Sequence, residues 1–233
     1  MAKIVAIIPA RGGSKGIKEK NLQKVNGRSL TEIAIRSAEK STDVDEIYVS
    51  SDSEKILALA KKLGVKAHIR SDANSSGTAS MLDTLKEFNI FYEPEKSQSN
   101  TWFLVLYPTY PFRTQKDLDE MINCYKSNFR LYSDGLIGIK PIKDHPYLAV
   151  DCKKNKISPA YNPDVNTFYR RQDYPILWAI CHWACIVPSN ALGKINNQLF
   201  SNKTFPYKLS QSPVDVDSNE DLRYANYLAS SSI

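Results

Sequence analysis

The sequence has no apolar run that approaches the roughly 18–20 residues of a membrane-spanning helix. It also has no stretch of five like charges in a row, and its 31 basic and 25 acidic residues are interspersed along the chain. The resulting net charge of +6 is too mild and too scattered to indicate nucleic-acid binding as the main function. We therefore expect neither a membrane nor a nucleic acid as a partner.

Hydrophobic residues make up 42% of the chain and charged residues 24%, close to the averages of globular proteins, which excludes disordered, collagen-like and coiled-coil classes. The length suits one large domain, so we expect a single domain over residues 1–233. The apolar run at residues 4–9 is shorter than most signal-peptide cores, and no small-residue cleavage site follows it. It indicates the first strand of a cytoplasmic protein.

Cysteine is scarce, with four residues, and no two of them form a CxxC pair. Cys181 and Cys185, with His182 between them, lack the second pair of ligands that a closed tetrahedral zinc site needs. We therefore expect all the cysteines to be small buried apolar side chains in a reducing cytoplasm. The other two are Cys124 and Cys152.

Strand and helix patterns alternate through the first 140 residues. The predicted strands are residues 4–8, 46–50, 65–69, 102–106 and 135–139. The predicted helices are residues 29–40, 53–63, 80–91 and 115–127, and a last one at 219–229. This rhythm predicts the α/β class, with a mostly parallel sheet that is flanked by helices on both faces.

The rhythm stops between residues 140 and 174, a segment rich in Pro, Asn, Asp and Tyr with no helical spacing. We expect this segment to leave the core as a β-ribbon or an arm. Residues 176–187 are apolar again and are predicted to re-enter the sheet.

A glycine-rich loop follows the first predicted strand, although the chain has only 9 glycines. Such glycines let the backbone turn tightly and present N–H groups to an anion. Arg11, Lys15 and Lys20 add three positive charges within ten residues. Nucleotides bind at this place in open α/β folds, beyond the carboxyl end of a parallel strand, although the pattern is neither a Walker A motif nor GxGxxG. The alternative is a flexible surface loop with solvated lysines. The glycines concerned are Gly12, Gly13 and Gly16.

Two carboxylates stand near the C-terminus with one residue between them, Asp215 and Asp217. Alternate residues of an extended segment point to the same side, and two carboxylates on one side are suitable ligands for Mg²⁺. The alternative is that Asp217 or Ser218 caps the last helix and that Asp215 is a surface acid. A magnesium ion needs an anionic substrate, and the glycine-rich loop is suited to bind a triphosphate.

Seven motifs, in order along almost the whole chain, resemble the acylneuraminate cytidylyltransferase family, which includes the CMP-sialic acid synthetases. The first is the loop IPARGGSKGI at 8–17, followed by Lys20 and Asn21. The others are VSSD at 49–52, Arg70 with GTAS at 77–80, LYPTYPFR at 106–113, HP at 145–146, RRQD at 170–173, and DVD with EDL at 215–222.

The resemblance implies a Rossmann-like nucleotidyltransferase that moves CMP from CTP to the anomeric hydroxyl of a 2-keto sugar acid and releases pyrophosphate. The implied nucleotide-binding residues are Arg11, Gly12, Gly13, Ser14, Lys15, Lys20, Asn21, Arg70, Ala79 and Ser80. The implied catalytic residues are Arg11, Lys15, Lys20 and Asp217, and the implied magnesium ligands are Asp215 and Asp217.

The resemblance also implies an acceptor site and a homodimer. The implied acceptor-binding residues are Tyr107, Arg171, Gln172 and His182. In the family the residue matched by Arg171 comes from the arm of the partner subunit, so residues 140–174 are expected to be a dimerisation arm.

The departures from the family pattern concentrate on the acceptor side. Tyr107 and Tyr110 stand where the family has Gln and Ser, and His182 and Trp183 replace an Asn-Gly pair. Larger rings change the shape of the acceptor pocket. The acceptor is therefore left open between a sialic-type nonulosonic acid, Kdo and another acid, and His182 is either a substrate contact or a packed core histidine.

Two other classes of function remain as alternatives. Glycosyltransferases that use nucleotide sugars carry a D-x-D metal motif on an α/β fold, but usually in mid-chain and without the RGGSKG loop. A non-catalytic CTP-binding module, with a decayed acceptor site, is the second alternative. Release of pyrophosphate from free CTP distinguishes both classes from a cytidylyltransferase.

Overall fold

A computed structural model describes residues 2–14, 16–92, 101–161 and 166–231. In chain order its strands are β1 (Lys3–Pro9), β2 (Lys24–Val25), β3 (Arg28–Ser29), β4 (Glu46–Ser51), β5 (Lys66–Ile69), β6 (Thr101–Val105), β7 (Gly135–Pro141), β8 (Val150–Lys153), β9 (Lys156–Pro159), β10 (Trp178–Pro188) and β11 (Thr204–Lys208). The α-helices are α1 (Leu30–Lys40), α2 (Glu54–Lys62), α3 (Asp72–Ser75), α4 (Met81–Tyr92), α5 (Gln115–Asn128) and α6 (Asn219–Ser231).

Seven strands form one sheet in the order β11-β7-β10-β6-β1-β4-β5. The pairs β6–β1, β1–β4, β4–β5 and β11–β7 are parallel, and β10 is antiparallel to both of its neighbours. The mostly parallel α/β architecture predicted from the sequence is thus confirmed. The carboxyl ends of β1, β4 and β5 meet at one edge, where the glycine-rich loop begins.

Two hydrophobic cores lie on the two faces of the sheet because alternate side chains of β1 point in opposite directions. Ile4, Ala6 and Ile8 pack with the apolar faces of α1, α2 and α5. Val5 and Ile7 pack on the other face with α4. Each fully buried aliphatic side chain contributes about 1.5–3 kcal/mol of transfer free energy, so these two layers fix β1 and the loop that leaves it.

The re-entering strand β10 carries a register shift against β7 between Ile180 and Cys185. Such a bulge turns the strand and re-aims its side chains. His182 and Trp183 lie within this irregular stretch.

Between β7 and β10 the chain makes the expected excursion from the core. The described part of residues 140–174 contains the β8–β9 hairpin and two short 3₁₀ turns, and no α-helix. Nearly every residue of the hairpin is exposed, whichever face of the hairpin its side chain points to. Residues 162–165 lie outside the described ranges. The assignment of this segment as a dimerisation arm, and of the chain as a single domain, stays a prediction.

The expectation of four buried cysteines is correct only in part. Cys181 and Cys185 are buried, Cys124 is half-buried and all four thiols are free. Cys152 is exposed, because it lies in the β8–β9 hairpin, where seven of the eight residues are exposed. None of the described helices is both long enough and apolar enough to cross a bilayer.

Candidate active site

The glycine-rich loop leaves β1 and packs against the end of β4. The backbone N–H of Gly12 donates to Asp52 Oδ1 at 2.8 Å, and Ser51 Oγ donates to the carbonyl of Ala10 at 2.6 Å. A Cβ atom at Gly12 would lie 2.9 Å from Ser53 Cβ, which is closer than side chains approach one another. This crowding explains why glycine is required at position 12.

Asn21 holds the far end of the loop. It is only 6% exposed, and its Nδ2 donates to the carbonyl of Arg11 at 2.9 Å. Its own carbonyl accepts a hydrogen bond from Thr31 Oγ1 at 2.8 Å. The side-chain amide of Asn21 therefore shapes the loop. Arg11 and Ser14 are half-buried and Gly13 is exposed, whereas Lys15 lies outside the described residues.

Lys20 and Gly16 bring the loop against the segment that precedes α6. Lys20 Nζ donates to Asp217 Oδ1 at 2.7 Å. A Cβ atom at Gly16 would lie 2.6 Å from the carbonyl oxygen of Asp217, so the two backbones touch at this point. The predicted phosphate-binding loop and the predicted metal-binding segment are therefore neighbours.

The two carboxylates predicted as magnesium ligands have different surroundings. Val216 between them is fully buried, and its N–H donates to the carbonyl of Thr109 at 2.9 Å. Asp215 Oδ1 is buried and has no hydrogen-bond partner among the described residues, whereas Asp217 is exposed. Burial, together with the charge of the Asp215 carboxylate and a hydrogen bond with it, raises the pKa of Tyr110 above its ordinary value. The segment thus offers one shielded oxygen and one solvent-facing carboxylate.

The cap of α6 is provided by Ser218 rather than by Asp217. Ser218 Oγ accepts from the N–H of Asp221 at 3.2 Å, and Asp221 Oδ2 accepts from the N–H of Ser218 at 2.8 Å. This reciprocal pair is the hydrogen-bonding pattern of a capping box. The Asp217 side chain is therefore not used to begin the helix.

Arg70 follows the last residue of β5 and is only 8% exposed. Its Nε donates to Ser50 Oγ at 3.0 Å, and its Nη2 is buried without a hydrogen-bond partner in the described chain. Burial lowers the pKa of Arg70 to about 10, and the charge of Arg11 acts in the same direction, whereas the charges of Asp52 and Glu87 oppose this shift. A buried guanidinium with an unpaired N–H donor lowers the stability of the fold unless a ligand accepts a hydrogen bond from that donor.

The segment at 77–80 supplies the beginning of α4. Ser80 Oγ accepts from the N–H of Asp83 at 3.1 Å and donates to Asp83 Oδ2 at 2.6 Å, so its hydroxyl caps the helix. Ala79 and Ser80 are half-buried. The hydroxyl predicted to line a base pocket therefore has a structural use as well.

Tyr107 and His182 form a ring pair at the end of β6. Their ring centroids are 5.3 Å apart, with the planes tilted by 40°. Burial raises the pKa of Tyr107 above its usual range. Burial also lowers the pKa of His182, against the opposing influence of the Gln198 backbone and of Asp215. Both rings are therefore neutral near pH 7.

Arg113 is a buried residue to which the sequence analysis gave no role. Its guanidinium donates to the carbonyl of Tyr107 at 2.6 Å and, over a shorter distance, to the carbonyl of Trp183. Burial lowers the pKa of Arg113 to about 9. By holding both carbonyls it fixes the backbones on either side of the ring pair. The available signal was an arginine that ends the LYPTYPFR motif directly after an apolar strand.

The remaining predicted acceptor residues lie in the arm. Arg171 and Gln172 belong to an exposed 3₁₀ turn at Arg171–Asp173. Arg171 lines a surface cavity together with His145 and Tyr174, whose rings stack at 4.7 Å. The described residues that line this cavity with Arg171 do not include Tyr107 or His182.

The donor chemistry beside the loop suits magnesium, since Mg²⁺ prefers carboxylate and phosphate oxygens. Asp215 has a shielded oxygen without a partner, and Asp217 is within reach of the loop backbone. No group of three or more His, Cys, Asp or Glu side chains that could hold a metal ion is found among the described residues. An ion held by Asp215 and Asp217 would therefore take its other ligands from a bound phosphate and from water.

The chain is similar in sequence and in fold to known proteins. The family model described as cytidylyltransferase matches residues 5–177. An N-acylneuraminate cytidylyltransferase of Streptococcus agalactiae serotype V is 28% identical over 225 residues, which is 94% of this chain and 51% of that protein. The chain thus spans about half the length of that relative. The post-translational flagellin modification protein B of Campylobacter coli is 27% identical over 232 residues, which cover 98% of this chain and 95% of that protein.

A solved structure with a similar fold is a CMP:2-keto-3-deoxy-manno-octonic acid synthetase in complex with CTP. It is 16% identical, with a TM-score of 0.72 over 100% of both chains. At this identity the similarity concerns the fold.

Proposed function

The chain belongs to the cytidylyltransferase family, and from this membership we propose that it transfers CMP from CTP to a 2-keto sugar acid and releases pyrophosphate. One observation carries the proposal. The glycine-rich loop, the buried Arg70 and the Lys20–Asp217 pair belong to the same carboxyl edge of the sheet. Together they offer cations, carboxylates and the loop amides beyond Gly12 to one nucleotide; the N–H of Gly12 itself is used by Asp52.

The nucleotide half of the reaction relies on charge. The acceptor hydroxyl is a weak nucleophile, and the α-phosphorus of CTP is surrounded by negative oxygens. In the proposed step the hydroxyl oxygen bonds to the α-phosphorus, the bond to the bridging oxygen of the β-phosphate breaks, and the hydroxyl proton passes to solvent. Arg11, Lys15 and Lys20 would neutralise the phosphates and the departing pyrophosphate, and the loop amides would bind their oxygens.

Magnesium belongs to the proposal because the donor set at Asp215 and Asp217 suits it. When bound, the ion supplies further neutralisation of charge on the phosphates and the leaving group. The chain's own contribution is to hold one shielded and one exposed carboxylate beside the loop, at the point where Gly16 contacts the backbone of Asp217.

For the acceptor we propose a nonulosonic acid of the sialic type, bound against the Tyr107–His182 ring pair. The neutral rings form a flat, half-apolar wall, which suits the face of a sugar ring better than its carboxylate. A cation is therefore needed for the carboxylate, and Arg171 has this role in the proposal. The alternative acceptors are Kdo and another acid.

We further propose a homodimer in which the arm, residues 140–174, carries Arg171 to the partner's site. The support is the exposure of large apolar side chains on the described residues of this segment. Ile157 is 74% exposed, Tyr169 68% and Leu148 61%. The proposed location is the cytoplasm, where reducing conditions keep thiols such as the exposed Cys152 free.

The decisive experiment is a pyrophosphate-release screen. Purified protein is incubated with magnesium, one of CTP, UTP or ATP, and a panel of acids that contains N-acetylneuraminic acid, Kdo and other 2-keto sugar acids. Release that depends on both CTP and one acid supports the proposal. Equal turnover with ATP or UTP would contradict the assignment of the base. CTP binding without turnover across the panel would favour a non-catalytic module, and transfer from a nucleotide sugar would favour a glycosyltransferase.

A further inference from the structure

Three buried side chains, one from β4, one from β5 and one from the residue that follows β5, are linked by hydrogen bonds. They lie near the edge of the sheet where the nucleotide is proposed to bind. Ser50 of β4 and His68 of β5 are register partners in a parallel pair, so their side chains lie side by side on one face. Ser50 Oγ lies 3.0 Å from His68 Nδ1, and Arg70 Nε donates to the same Oγ at 3.0 Å. The exposed fractions of Ser50, His68 and Arg70 are 0%, 2% and 8%.

A guanidinium only donates, so the Ser50 hydroxyl accepts from Arg70 and has its own proton left to donate. We take His68 Nδ1, the other neighbour of this hydroxyl, as the acceptor of that proton. The imidazole is then neutral and carries its proton on Nε2. This state agrees with burial, which lowers the pKa of His68.

We propose that His68 is a positioning residue for nucleotide binding, which holds Arg70 through Ser50 in the orientation that leaves its unpartnered Nη2 for CTP. The inference rests on the proposed function, because Arg70 has a ligand only if the chain binds a nucleotide. His68 itself touches neither the loop nor the nucleotide. Its effect passes through two hydrogen bonds to one guanidinium.

The arrangement predicts that acid weakens CTP binding. Burial against the rings of Phe88 and Phe91, at 5.3 and 5.0 Å, favours the neutral imidazole. The charge of Arg70 also favours it, whereas Glu87 from α4 favours the protonated form. A proton on Nδ1 would make this nitrogen a second donor to Ser50 Oγ, in competition with Arg70 Nε, and would place a second cation beside Arg70. The hydrogen bond between Arg70 Nε and Ser50 Oγ is therefore weakened as the pH falls through the pKa of His68. This pKa lies below the ordinary value of 6.5.

The test measures the dissociation constant of CTP by calorimetry between about pH 5 and pH 8. His68→Asn keeps an acceptor oxygen near the position of Nδ1 and does not titrate, whereas His68→Leu removes the acceptor. We expect His68→Leu to weaken CTP binding roughly tenfold near neutral pH. His68→Asn is expected to stay near wild type and to lose the decline of affinity at acid pH. The KM for CTP should follow the dissociation constant, with little change in kcat.

A double-mutant cycle identifies the route of the effect. Ser50→Ala should weaken CTP binding about as much as His68→Leu, and the double variant should be no weaker, because both substitutions break the same chain. Additive losses would contradict the proposed route through Ser50.

The outcomes separate the two levels of the proposal. A wild-type protein that fails to bind CTP overturns the proposed function and this inference together. A wild-type protein that binds CTP, with His68→Leu folded and equally tight, overturns only the role of His68. If His68→Leu does not fold, the acid profile of His68→Asn decides: an unchanged decline of affinity at low pH would overturn the role.

Discussion

Lys20 Nζ lies 2.7 Å from Asp217 Oδ1, across 197 positions of sequence. The Lys20 side chain is 19% exposed and that of Asp217 is 68% exposed. An ion pair with one partner in water contributes at most about 1 kcal/mol to stability. The pair therefore contributes little to the stability of the fold. Its importance lies in placing one ammonium group and one carboxylate beside the glycine-rich loop.

The first prediction follows from this exposure. Asp217→Asn keeps the size of the side chain and leaves the Ser218–Asp221 cap intact, so the melting temperature should stay near that of the wild type. On the proposed metal assignment, the rate of pyrophosphate release falls roughly a hundredfold or more, since a ligand that neutralises charge is lost. A thermal melt and a pyrophosphate assay at two magnesium concentrations measure both effects.

Glu220→Gln is the matched control for this variant, because Glu220 is an acid of the same segment with an 87% exposed side chain. It should keep both stability and activity. Near-normal turnover of Asp217→Asn at low magnesium would remove Asp217 from the metal site.

The second prediction compares two glycines of the loop. Gly16→Ala places a Cβ atom 2.6 Å from the carbonyl of Asp217, so the two backbones must separate. We expect a loss of roughly 1–3 kcal/mol in the free energy of unfolding, measured by urea denaturation. Gly13→Ala meets no atom within 4 Å and should be close to wild type in stability. Equal stability of the two variants would show that the backbone of the loop at Gly16 is not in close contact with the backbone of Asp217.

The third prediction concerns the buried Arg113. Arg113→Met removes the donors for two carbonyls, those of Tyr107 and Trp183, and leaves both carbonyls without their partner. The expected loss is about 2–4 kcal/mol in the free energy of unfolding. Among variants that remain folded, the KM for the acceptor should rise more than the KM for CTP, because the ring pair of Tyr107 and His182 loses its support. An acceptor KM that does not change would contradict this link.

The fourth prediction concerns acid stability. Burial acts to raise the pKa of Glu46, but hydrogen bonds from Lys3 and Lys66 outweigh it and hold this pKa at about 2, below its ordinary value of 4.5. A depressed carboxylate pKa stabilises the fold above the unfolded pKa, and this stabilisation is lost as the pH falls from about 4.5 towards about 2. Glu46→Gln should therefore cost about 2 kcal/mol at neutral pH and progressively less in acid. Denaturant titrations at several pH values measure the difference, and a constant gap between the two proteins would contradict the pairing.

The fifth prediction tests the proposed dimer. Ile157 on the arm is 74% exposed, and Ile157→Asp should convert a dimer at micromolar concentration into a monomer in sedimentation experiments. Ile90→Asp is the matched control, because Ile90 is 75% exposed but lies on α4. A wild-type protein that sediments only as a monomer would refute the proposed role of the arm.

Local patterns were sufficient to predict the parallel half of the fold. Buried strands gave continuous apolar runs, and the helix boundaries carried caps such as Ser29, whose hydroxyl accepts from the N–H of Glu32. Strand β11 was missed because Pro206 interrupts its short run of β-forming residues, and a proline within such a run argues against a strand. Helix α3 was missed because four residues give no helical period.

The candidate site was predictable where its residues are adjacent in sequence. The loop and its cations follow from one strand and three glycines, whereas the contact of Lys20 with Asp217 depends on tertiary folding. The role of Arg113 was hidden for the same reason, since it needs a carbonyl exposed by the irregular stretch of β10, 70 positions away. The sequence shows which charged and polar side chains are present, whereas their hydrogen-bond and ion-pair partners are evident only from the fold.

The order of strands in the sheet also has a consequence for synthesis on the ribosome. Strand β6 ends at Val105, but the strand that covers its outer edge, β10, begins only at Trp178. Until that later segment emerges, the nascent chain presents an open apolar edge, Thr101–Val105, to other chains. Long-range pairing of this kind is slow, and an edge left open during elongation invites aggregation. Slower translation between residues 106 and 178, or a shortage of chaperones, should therefore lower the yield of folded protein more than its final stability suggests.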